Sequence, residues 1–363
     1  MKRVNHLFEK IVTFENLYLA FKKASKGSPN SLEAKAFCFH LEPELIDLKN
    51  DLISSSYQPG AFHHYTIHDP KERLISVAPF RDRVVHHALV NILEPVFEPA
   101  FIFDSYATRK NKGTHAAIKR TQQFLRLNRY YLRADIKKHF ESMDHDILLN
   151  LVTRKVKDKK TLQLIRKIIK GVPWEKGLPI GNLTSQFLAN VYLNQLDHYI
   201  KEQLKVRYYV RYMDDMVFLS NDKVFLKQIK QVISQYLENK LKLTLKTKAT
   251  YINKRSNGIG FLGARIFPHF LRVKSASFKR GIKRLNQVSN QYKNRKILIV
   301  NYTSSLSSIM GHLDFFNSYQ LRLKTGQANN WFEPRQTGQA NNWFEPRQTG
   351  RFLEQQTEEP ALR

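Results

Sequence analysis

Apolar residues recur at helical spacing in the first fifty positions of the chain. The apolar residues between Leu7 and Phe21 follow one another every three or four positions, which is the period of one helix face. The sequence Lys-Gly-Ser-Pro at 26–29 interrupts the pattern. We therefore expect helical structure over residues 5–55, with a second helix from 31 to 52.

Strand-forming residues come next. The runs at 63–67 and 74–77 are separated by Asp-Pro-Lys-Glu at 69–72, a sequence typical of turns, so they predict a β-hairpin. From residue 80 to 96 the apolar spacing is again that of a helix.

In the centre of the chain, segments that predict strands alternate with segments that have the apolar spacing of helices. Residues 130–136 predict a strand, and the apolar runs 206–212 and 216–219 predict a second hairpin around an acidic turn. Helices interleaved with hairpins favour an α+β fold over a doubly wound parallel sheet. Further helices are predicted over residues 147–156, 162–169, 184–200 and 224–237, and further strands over 241–245, 250–252 and 259–266.

The C-terminal part differs in composition from the rest. Residues 275–323 predict a small helical domain with a strongly basic first half. After it, the twelve residues 325–336 are repeated without change at 337–348. Two copies cannot form a solenoid, and their composition predicts a flexible tail.

Charge narrows the choice of partner. The chain has 60 Lys and Arg against 31 Asp and Glu, a formal net charge of +29. Charge of this sign and size predicts a polyanionic partner, with an ordinary solvated basic surface as the alternative. The only cysteine, Cys38, excludes an intrachain disulfide and favours oxygen or histidine ligands for any metal. No signal peptide or membrane span is predicted, so we expect an intracellular protein.

Two acids lie at the tip of the second predicted hairpin. Asp214 and Asp215 hold like charges side by side between apolar strands, and a divalent cation would relieve their repulsion. A third carboxylate, Asp135, lies near the end of the predicted strand at 130–136. Such oxygen ligands suit Mg²⁺, and two Mg²⁺ ions can activate a hydroxyl and stabilise a departing pyrophosphate. The acids therefore predict nucleotidyl transfer, with a solvated turn as the alternative.

The Tyr-Met-Asp-Asp sequence of this hairpin, with the strand that carries Asp135, resembles the palm of reverse transcriptases over about residues 14–322. The resemblance implies a right-hand polymerase fold and an RNA-directed DNA polymerase with two Mg²⁺ ions. It implies that Asp135, Asp214 and Asp215 are catalytic metal ligands, together with the backbone carbonyl of Ile136. Template RNA, a DNA primer or cDNA, and dNTPs are the implied partners and substrates.

Other positions match the family around the nucleotide. Phe140 lies where the family keeps an aromatic residue against the 2′ hydroxyl, which implies a DNA product; a core Phe is the alternative. Lys71 and Arg73 resemble the residues that clamp the triphosphate, although they also suit a solvated turn.

Two further segments match the family in order. The segment 105–114 resembles the template-contacting motif, with Arg109, Lys112 and Gly113 as its predicted contacts. The primer grip is expected at Phe261, Leu262 and Gly263.

The stretch 177–186 discriminates between subfamilies. Ile180 stands where most bacterial relatives, including those of group II introns and retrons, place Gln, and Gln186 stands where they place Pro. This form resembles the enzymes of diversity-generating retroelements, as does the segment 308–313. The likeness implies that Ile180, Gly181 and Gln186 line the nucleotide pocket. An aliphatic side chain there removes a hydrogen-bonding group and loosens control of base pairing.

The subfamily implies error-prone copying of a template-repeat RNA, mainly at adenines, and a small basic pentameric accessory protein as partner. It also implies a cytoplasmic protein encoded by a bacterium or phage. The alternatives are another group-II-like reverse transcriptase, in intron mobility or phage defence, and a catalytically silent RNA-binding module.

The resemblance divides the chain into four parts. We expect fingers over residues 1–125, a palm over 126–270, a helical thumb over 271–323 and a flexible tail over 324–363.

Overall fold

The computed structural model describes residues 3–28, 31–68, 72–171 and 174–328. The chain separates into two compact units, which are residues 1–262 with 266–269, and residues 263–265 with those from 270 onwards. The change of unit therefore falls close to the predicted start of the thumb at 271.

Four helices open the first unit, and capping explains where two of them begin. The side chains of Thr13 and Ser31 each accept a hydrogen bond from a backbone N–H three residues ahead. The single helix predicted over 31–52 is in fact two helices that meet at His40. Pro43 has no N–H to donate to the carbonyl of Phe39, which disfavours one continuous helix at this point. The helices are α1 (Phe8–Ile11), α2 (Phe14–Lys26), α3 (Leu32–Phe39) and α4 (Leu41–Ile53).

The first predicted hairpin is confirmed. Strands β1 (His63–Ile67) and β2 (Arg73–Val77) pair in antiparallel register, with Ile67 opposite Arg73. Residues 69–71 of the connecting turn, including Lys71, lie outside the described residues. Helix α5 (Phe80–Phe97) follows and confirms the helix predicted over 80–96.

An antiparallel sheet in the order β4-β5-β3-β6 forms the centre of the first unit. Its two middle strands are buried: Leu132 of one and Phe218 of the other have no exposed surface. The predicted hairpin around the acidic turn is confirmed as its first two strands. The strands are β3 (Tyr130–Asp135), β4 (Tyr208–Tyr212), β5 (Asp215–Ser220) and β6 (Tyr251–Lys254).

Five longer helices surround this sheet. The side chains of Asp144, Asp158 and Asp222 cap three of them by accepting hydrogen bonds from first-turn N–H groups. The helices are α6 (Thr114–Leu127), α7 (His145–Thr153), α8 (Lys159–Lys170), α9 (Leu183–His198) and α10 (Lys223–Leu241). Helix α10 packs against β3 and β5, and α6 packs against β4.

One strand prediction is wrong, and another is only partly right. The strand predicted over 241–245 does not form, because α10 continues to Leu241 and Lys242 then turns into the left-handed region with φ 50. Only an isolated bridge joins Leu245 to Ile136. The strand predicted over 259–266 is broken at residues 262 and 263 into β7 (Ile259–Phe261) and β8 (Ala264–Ile266).

The second unit is mainly helical and has a small core of its own. Leu285, Met310 and Leu313 are its buried cluster. Its elements from residue 271 onwards are β9 (Leu271–Val273), α11 (Ser275–Lys293), α12 (Ile299–Asp314) and α13 (Tyr319–Ala328). The last helix runs into the predicted tail, and the remaining tail residues, 329–363, lie outside the described residues.

The mixture of an antiparallel sheet with surrounding helices confirms the predicted α+β class. Within the described ranges, no helix combines the length and the apolar character that crossing a bilayer requires.

Candidate active site

The turn between β4 and β5 carries the two hairpin acids. After Tyr212, Met213 adopts a left-handed backbone conformation with φ 54, and Asp215 begins β5. Such a conformation is uncommon for a Met residue and needs support from its surroundings. Nη1 of Arg211 provides it by donating to the carbonyl oxygen of Met213 at 3.2 Å. The turn that carries Asp214 is therefore anchored from inside the protein.

Arg211 is itself fully buried and paired with an acid on α9. Its Nε and Nη2 donate to the two carboxylate oxygens of Asp197 at 2.8 and 2.6 Å. Its Nη1 donates to Asn190 at 3.1 Å, and the hydroxyl of Tyr209 donates to Asp197 at 2.8 Å. Burial alone would lower the pKa of Arg211, but the charge of Asp197 raises it above the usual value. A buried pair with this many hydrogen bonds fixes one arrangement of the hairpin.

The sequence interpretation missed this pair. A charged residue inside the apolar run 208–212, and an acid inside the apolar helix predicted over 184–200, were available signals. A charge in a buried element requires a partner, which the spacing alone did not identify.

The predicted acids come together across neighbouring strands. Asp135 is the register partner of Asp215, and the N–H of Ile136 donates to the carbonyl oxygen of Asp214 at 3.3 Å. Burial, together with the negative charges of Asp135 and Asp215, raises the pKa of Asp214 to about 6. A divalent cation would relieve the repulsion that raises this pKa, so the carboxylates fit an ion with oxygen ligands such as Mg²⁺.

The two hairpin acids have different surroundings. Asp215 accepts from Arg133, two residues before Asp135 on β3, through Nε at 3.0 Å and Nη2 at 2.8 Å. Burial alone would lower the pKa of Arg133, but these hydrogen bonds raise it. The predicted metal role of Asp215 thus requires its carboxylate to serve Arg133 and an ion together, which its spare lone pairs allow.

The described residues contain no preformed cluster of three or more acidic, His or Cys side chains for a metal. The ion pair of Asp215 with Arg133 sets this acid apart from Asp135 and Asp214, which make no ion pair with another described residue.

Phe140 is attached to the stretch that follows α8. Its carbonyl oxygen accepts from the N–H of Leu178 at 2.7 Å, and the N–H of Gly177 donates to Met143 at 2.7 Å. Gly177 has φ 97, and a Cβ there would lie 2.8 Å from the carbonyl oxygen of Glu141. Only glycine allows this close approach. The structure therefore brings the predicted gate residue and the 177–186 stretch together.

The same stretch is hydrogen-bonded to strand β2. The N–H of Ser76 donates to the carbonyl oxygen of Ile180 at 2.8 Å, and Nδ2 of Asn182 donates to the carbonyl oxygen of Ser76 at 2.8 Å. Gly181 lies between them with φ 116, and a Cβ there would come within 2.9 Å of Ile75. Ile180 is half-buried, and its backbone position is fixed by the strand beside it.

Arg73, the first residue of β2, acts electrostatically on the acids. Its positive charge is among the influences on Asp214 and lowers the pKa of that carboxyl, against the larger effect of burial. Arg73 itself is exposed. Its position suits the predicted contact with an incoming triphosphate, whereas Lys71 lies outside the described residues.

The predicted template segment 105–114 lies against β4. The N–H of Tyr106 donates to the carbonyl oxygen of Arg211 at 3.0 Å. Gly113 has φ 101 and donates to the carbonyl oxygen of Tyr106 at 2.9 Å. The hydroxyl of Thr108 donates to Oε1 of Gln186 at 3.3 Å, so this segment also touches the predicted nucleotide pocket.

Two side chains predicted to contact the template are used within the protein. The Arg109 guanidinium is 6% exposed and donates to both carboxylate oxygens of Glu98 at 2.7 to 3.1 Å. The prediction that Arg109 contacts the template through its guanidinium does not fit this burial. Lys112 is half-buried; its Nζ donates to the carbonyl oxygen of Phe103 at 2.9 Å and lies 3.4 Å from the ring centroid of that residue, which is itself 68% exposed.

The predicted primer grip is a tight turn. Phe261 is fully buried, Leu262 has φ 46 and Gly263 has φ 82. The side chain of Phe261 therefore supports the turn, and the backbone of the next two residues forms it.

Comparison with known proteins identifies the family of the part of the chain that contains this site. The model of the family "Reverse transcriptase (RNA-dependent DNA polymerase)" matches residues 67–266, more than half of the chain. That range contains every described residue of the site from Arg73 to Gly263.

Among curated proteins, the group II intron-encoded protein LtrA of Lactococcus lactis is 26% identical over 347 residues, covering 75% of this chain and 56% of that protein. Protein YkfC of Escherichia coli is 28% identical, covering 62% of this chain and 72% of that protein. The chain thus spans little more than half the length of its intron-encoded relative.

Among solved structures, apo telomerase from Candida tropicalis has a TM-score of 0.49 at 13% identity, covering 76% of this chain and 59% of that chain. Likeness at this level adds nothing to the assignment, which the family model carries. Because the family model matches residues 67–266, the chain belongs to the reverse transcriptase (RNA-dependent DNA polymerase) family.

Proposed function

We propose that the chain is an active RNA-directed DNA polymerase of the group-II-like kind, which extends a DNA primer on template RNA with dNTPs. The observation that carries this proposal is the acid pair Asp135 and Asp214: Asp135 ends β3, Asp214 lies in the turn bonded to the next residue, Ile136, and the pKa of Asp214 is raised to about 6. Repulsion of this kind costs stability unless a cation binds, so it fits a catalytic role better than a structural one.

Asp135 and Asp214 would hold two Mg²⁺ ions, with Asp215 and the carbonyl of Ile136 as further ligands. When bound, the ions supply positive charge at the reacting phosphate and lower the pKa of the primer hydroxyl. The hydrogen bond from Arg211 to Met213 keeps the turn in place, so the acids need no rearrangement during the reaction.

Two other side chains select and bind the nucleotide in this proposal. Arg73 offsets the charge of the triphosphate and of the leaving pyrophosphate. Phe140 occupies the space beside the sugar and excludes a 2′ hydroxyl, which gives a DNA product.

Asp214→Asn tests the polymerase proposal, because it keeps the size of the side chain and removes its charge. We expect primer extension on RNA to fall at least about a hundredfold, since the ions lose a charged ligand. Asp146→Asn, an exposed acid in the first turn of α7, is the matched control and should retain full activity. Equal activity of the two variants would refute the proposal, as would undiminished extension after Mg²⁺ is removed with a chelator.

We further propose that the enzyme copies inaccurately, in the manner of diversity-generating retroelements. The support is Ile180, an aliphatic side chain on a backbone held by Ser76, where most bacterial relatives carry an amide. Without that amide, the pocket has fewer hydrogen-bonding groups with which to reject a mispaired nucleotide. A small basic pentameric accessory protein belongs to this finer proposal. The descriptions of the curated relatives favour a second candidate, a role in group II intron mobility.

Ile180→Gln separates the two candidates. We expect the wild type to misincorporate mainly opposite template adenines, and the variant to do so less, by about threefold to tenfold. Sequencing of cDNA made from one defined RNA measures both rates. Equal wild-type error rates at all four template bases would exclude the retroelement candidate and leave the polymerase proposal intact.

A further inference from the structure

A pocket on the outer side of α8 lies apart from the catalytic sheet. It has a volume of about 430 Å³, and none of its lining residues belongs to β3, β4, β5 or the turn that carries Asp214. The floor is apolar and comes from three separate parts of the chain: Phe8 of α1, Leu52 of α4 with nearby Tyr57, and Leu164 of α8. Each of these side chains is less than 8% exposed, so the floor is built into the core.

The rim of the pocket is basic. Its charged lining residues are all cationic, namely Lys160, Arg166, Lys167 and Lys170. Lys167 is anchored, because its ammonium donates to the carbonyl oxygens of Ser55 at 2.7 Å and Tyr57 at 2.8 Å. Lys160 lies over the ring of Phe8, with its Nζ 5.5 Å from the centroid. One cation of the rim thus lies close to an aromatic ring of the floor.

The charge around this pocket is uncompensated. Residues 154–170 contain one acid, Asp158, whose carboxylate accepts from the N–H groups of Leu7, Phe8 and Thr161 rather than from a cation. Within the described ranges, no ion pair is made by Lys160, Arg166 or Lys170. Against that acid, the same segment has eight basic residues, at positions 154, 155, 157, 159, 160, 166, 167 and 170.

Two acids that lie next in sequence to lining residues of the pocket each contact a residue outside it. Asp51 accepts from Nη2 of Arg81 at 2.8 Å, and Glu9 lies 3.5 Å from Nδ1 of His6. The exposed cations around the pocket are therefore available to an external anion.

We propose that this pocket, with Lys160, Arg166 and Lys170 at its rim, binds an unpaired nucleotide of an RNA strand at a site separate from the template path. The rim cations bind the phosphates on either side, and the base enters the apolar cavity against Phe8. Phosphate contacts give affinity, whereas a cavity with an aromatic wall requires a base that is not paired. An unpaired loop of a structured RNA meets both conditions, and duplex RNA meets only the first.

The test removes the rim charges and compares the result with an equal loss of charge elsewhere. The variant is Lys160→Ala/Arg166→Ala/Lys170→Ala, and the matched control is Lys223→Ala/Lys227→Ala/Lys230→Ala on α10, a helix that also carries basic residues at its surface. Fluorescence anisotropy measures the Kd of the full chain for a short single-stranded RNA and for the same strand annealed to its complement, at several salt concentrations. Circular dichroism checks that both variants fold.

We expect the rim variant to bind the single strand at least about tenfold more weakly than the control does. The logarithm of its binding constant should also depend less steeply on the logarithm of the salt concentration. The slope should shrink by about two, because each lost phosphate contact with a single strand removes about 0.7. Binding of the duplex should fall equally in the two variants. Thiouridine-substituted RNA should crosslink to a peptide containing Phe8 or Tyr57 in the wild type.

Three results would overturn the proposal: equal losses in the two variants, a rim-specific loss that is as large for duplex as for the single strand, or rim-dependent binding of an acidic peptide without any effect on RNA. The readout is binding, so it does not depend on polymerase activity. Loss of primer extension in Asp214→Asn with rim-dependent RNA binding intact would separate the two proposals.

Discussion

The acidic turn and the 177–182 stretch lie in the same site but are held by different forces. The turn depends on charge: Arg211 pairs with Asp197 beneath it, and Arg133 pairs with Asp215 beside it. The stretch depends on shape: two glycines with positive φ let its backbone approach residues 75–76 and 141. We infer that the turn, which is proposed to hold metal ions, is sensitive to a change of charge, and that the stretch, which is proposed to contact the nucleotide, is sensitive to added volume.

The largest effect should follow from loss of the buried charge pair. Arg211→Met keeps most of the side-chain length but leaves Asp197 buried without a cation, so we expect the free energy of unfolding to fall by about 3–5 kcal/mol. Chemical denaturation measures this change. The double variant Arg211→Met/Asp197→Leu should recover most of the loss, because it leaves no unpaired charge.

An exposed ion pair supplies the control. Lys242→Met removes the partner of Asp144 at the surface and should leave the free energy of unfolding nearly unchanged, because solvent screens an exposed ion pair. A similar cost for Arg211→Met would show that the turn does not depend on buried charge.

A smaller effect should follow from added volume in the nucleotide pocket. Gly181→Ala places a Cβ 2.9 Å from Ile75 on a backbone with φ 116, so we expect a loss of about 1–3 kcal/mol in stability and a marked loss in primer extension. Gly311→Ala in α12 is the control, because a Cβ there meets nothing within 4 Å and should raise helix stability slightly. Unchanged stability and activity in Gly181→Ala would argue against shape as the determinant.

The smallest effect concerns Arg133. Arg133→Met removes one partly buried ion pair and should destabilise the metal-free protein by about 1 kcal/mol. Because Asp215 then lacks its cation, added Mg²⁺ should raise the Tm of this variant more than that of the wild type. Arg129→Met, an exposed residue just before β3, should show the wild-type response. An equal Mg²⁺-induced rise in Tm in the wild type, Arg133→Met and Arg129→Met would mean that Arg133 does not offset the negative charge of the acids.

Local sequence patterns predicted the elements that carry the acids. The apolar runs around Asp214 and Asp215 and the strand that carries Asp135 are regular, and the structure contains both. The division at His40 could also have been predicted from Pro43, since proline interrupts helical hydrogen bonding. The end of α10 could not, because Lys242 adopts a left-handed conformation that no local signal indicates.

Contacts between distant residues could not be read from the sequence. Arg109 lies in a polar, basic segment that suggests exposure, yet its side chain is buried against Glu98. Arg211 and Asp197 are separated by a turn and a helix end, and each alone is only an unexplained charge in an apolar element. The spacing of apolar and polar residues shows which face of a helix or strand is buried. It does not show which side chains of different elements form a pair, because that depends on how the elements pack.

The hydrogen bond from Ser76 to Ile180 links strand β2 to the proposed nucleotide pocket. Ser76 lies three residues after Arg73 on the same strand, a span of roughly 10 Å in extended chain. A strand that shifts when Arg73 engages a triphosphate must carry the backbone of Ile180 with it. With the proposed roles of Arg73 and Ile180, this one strand would couple the binding of the phosphates to the fit of the base, so that a poorly paired base that seats its phosphates badly would leave the backbone of Ile180 unshifted.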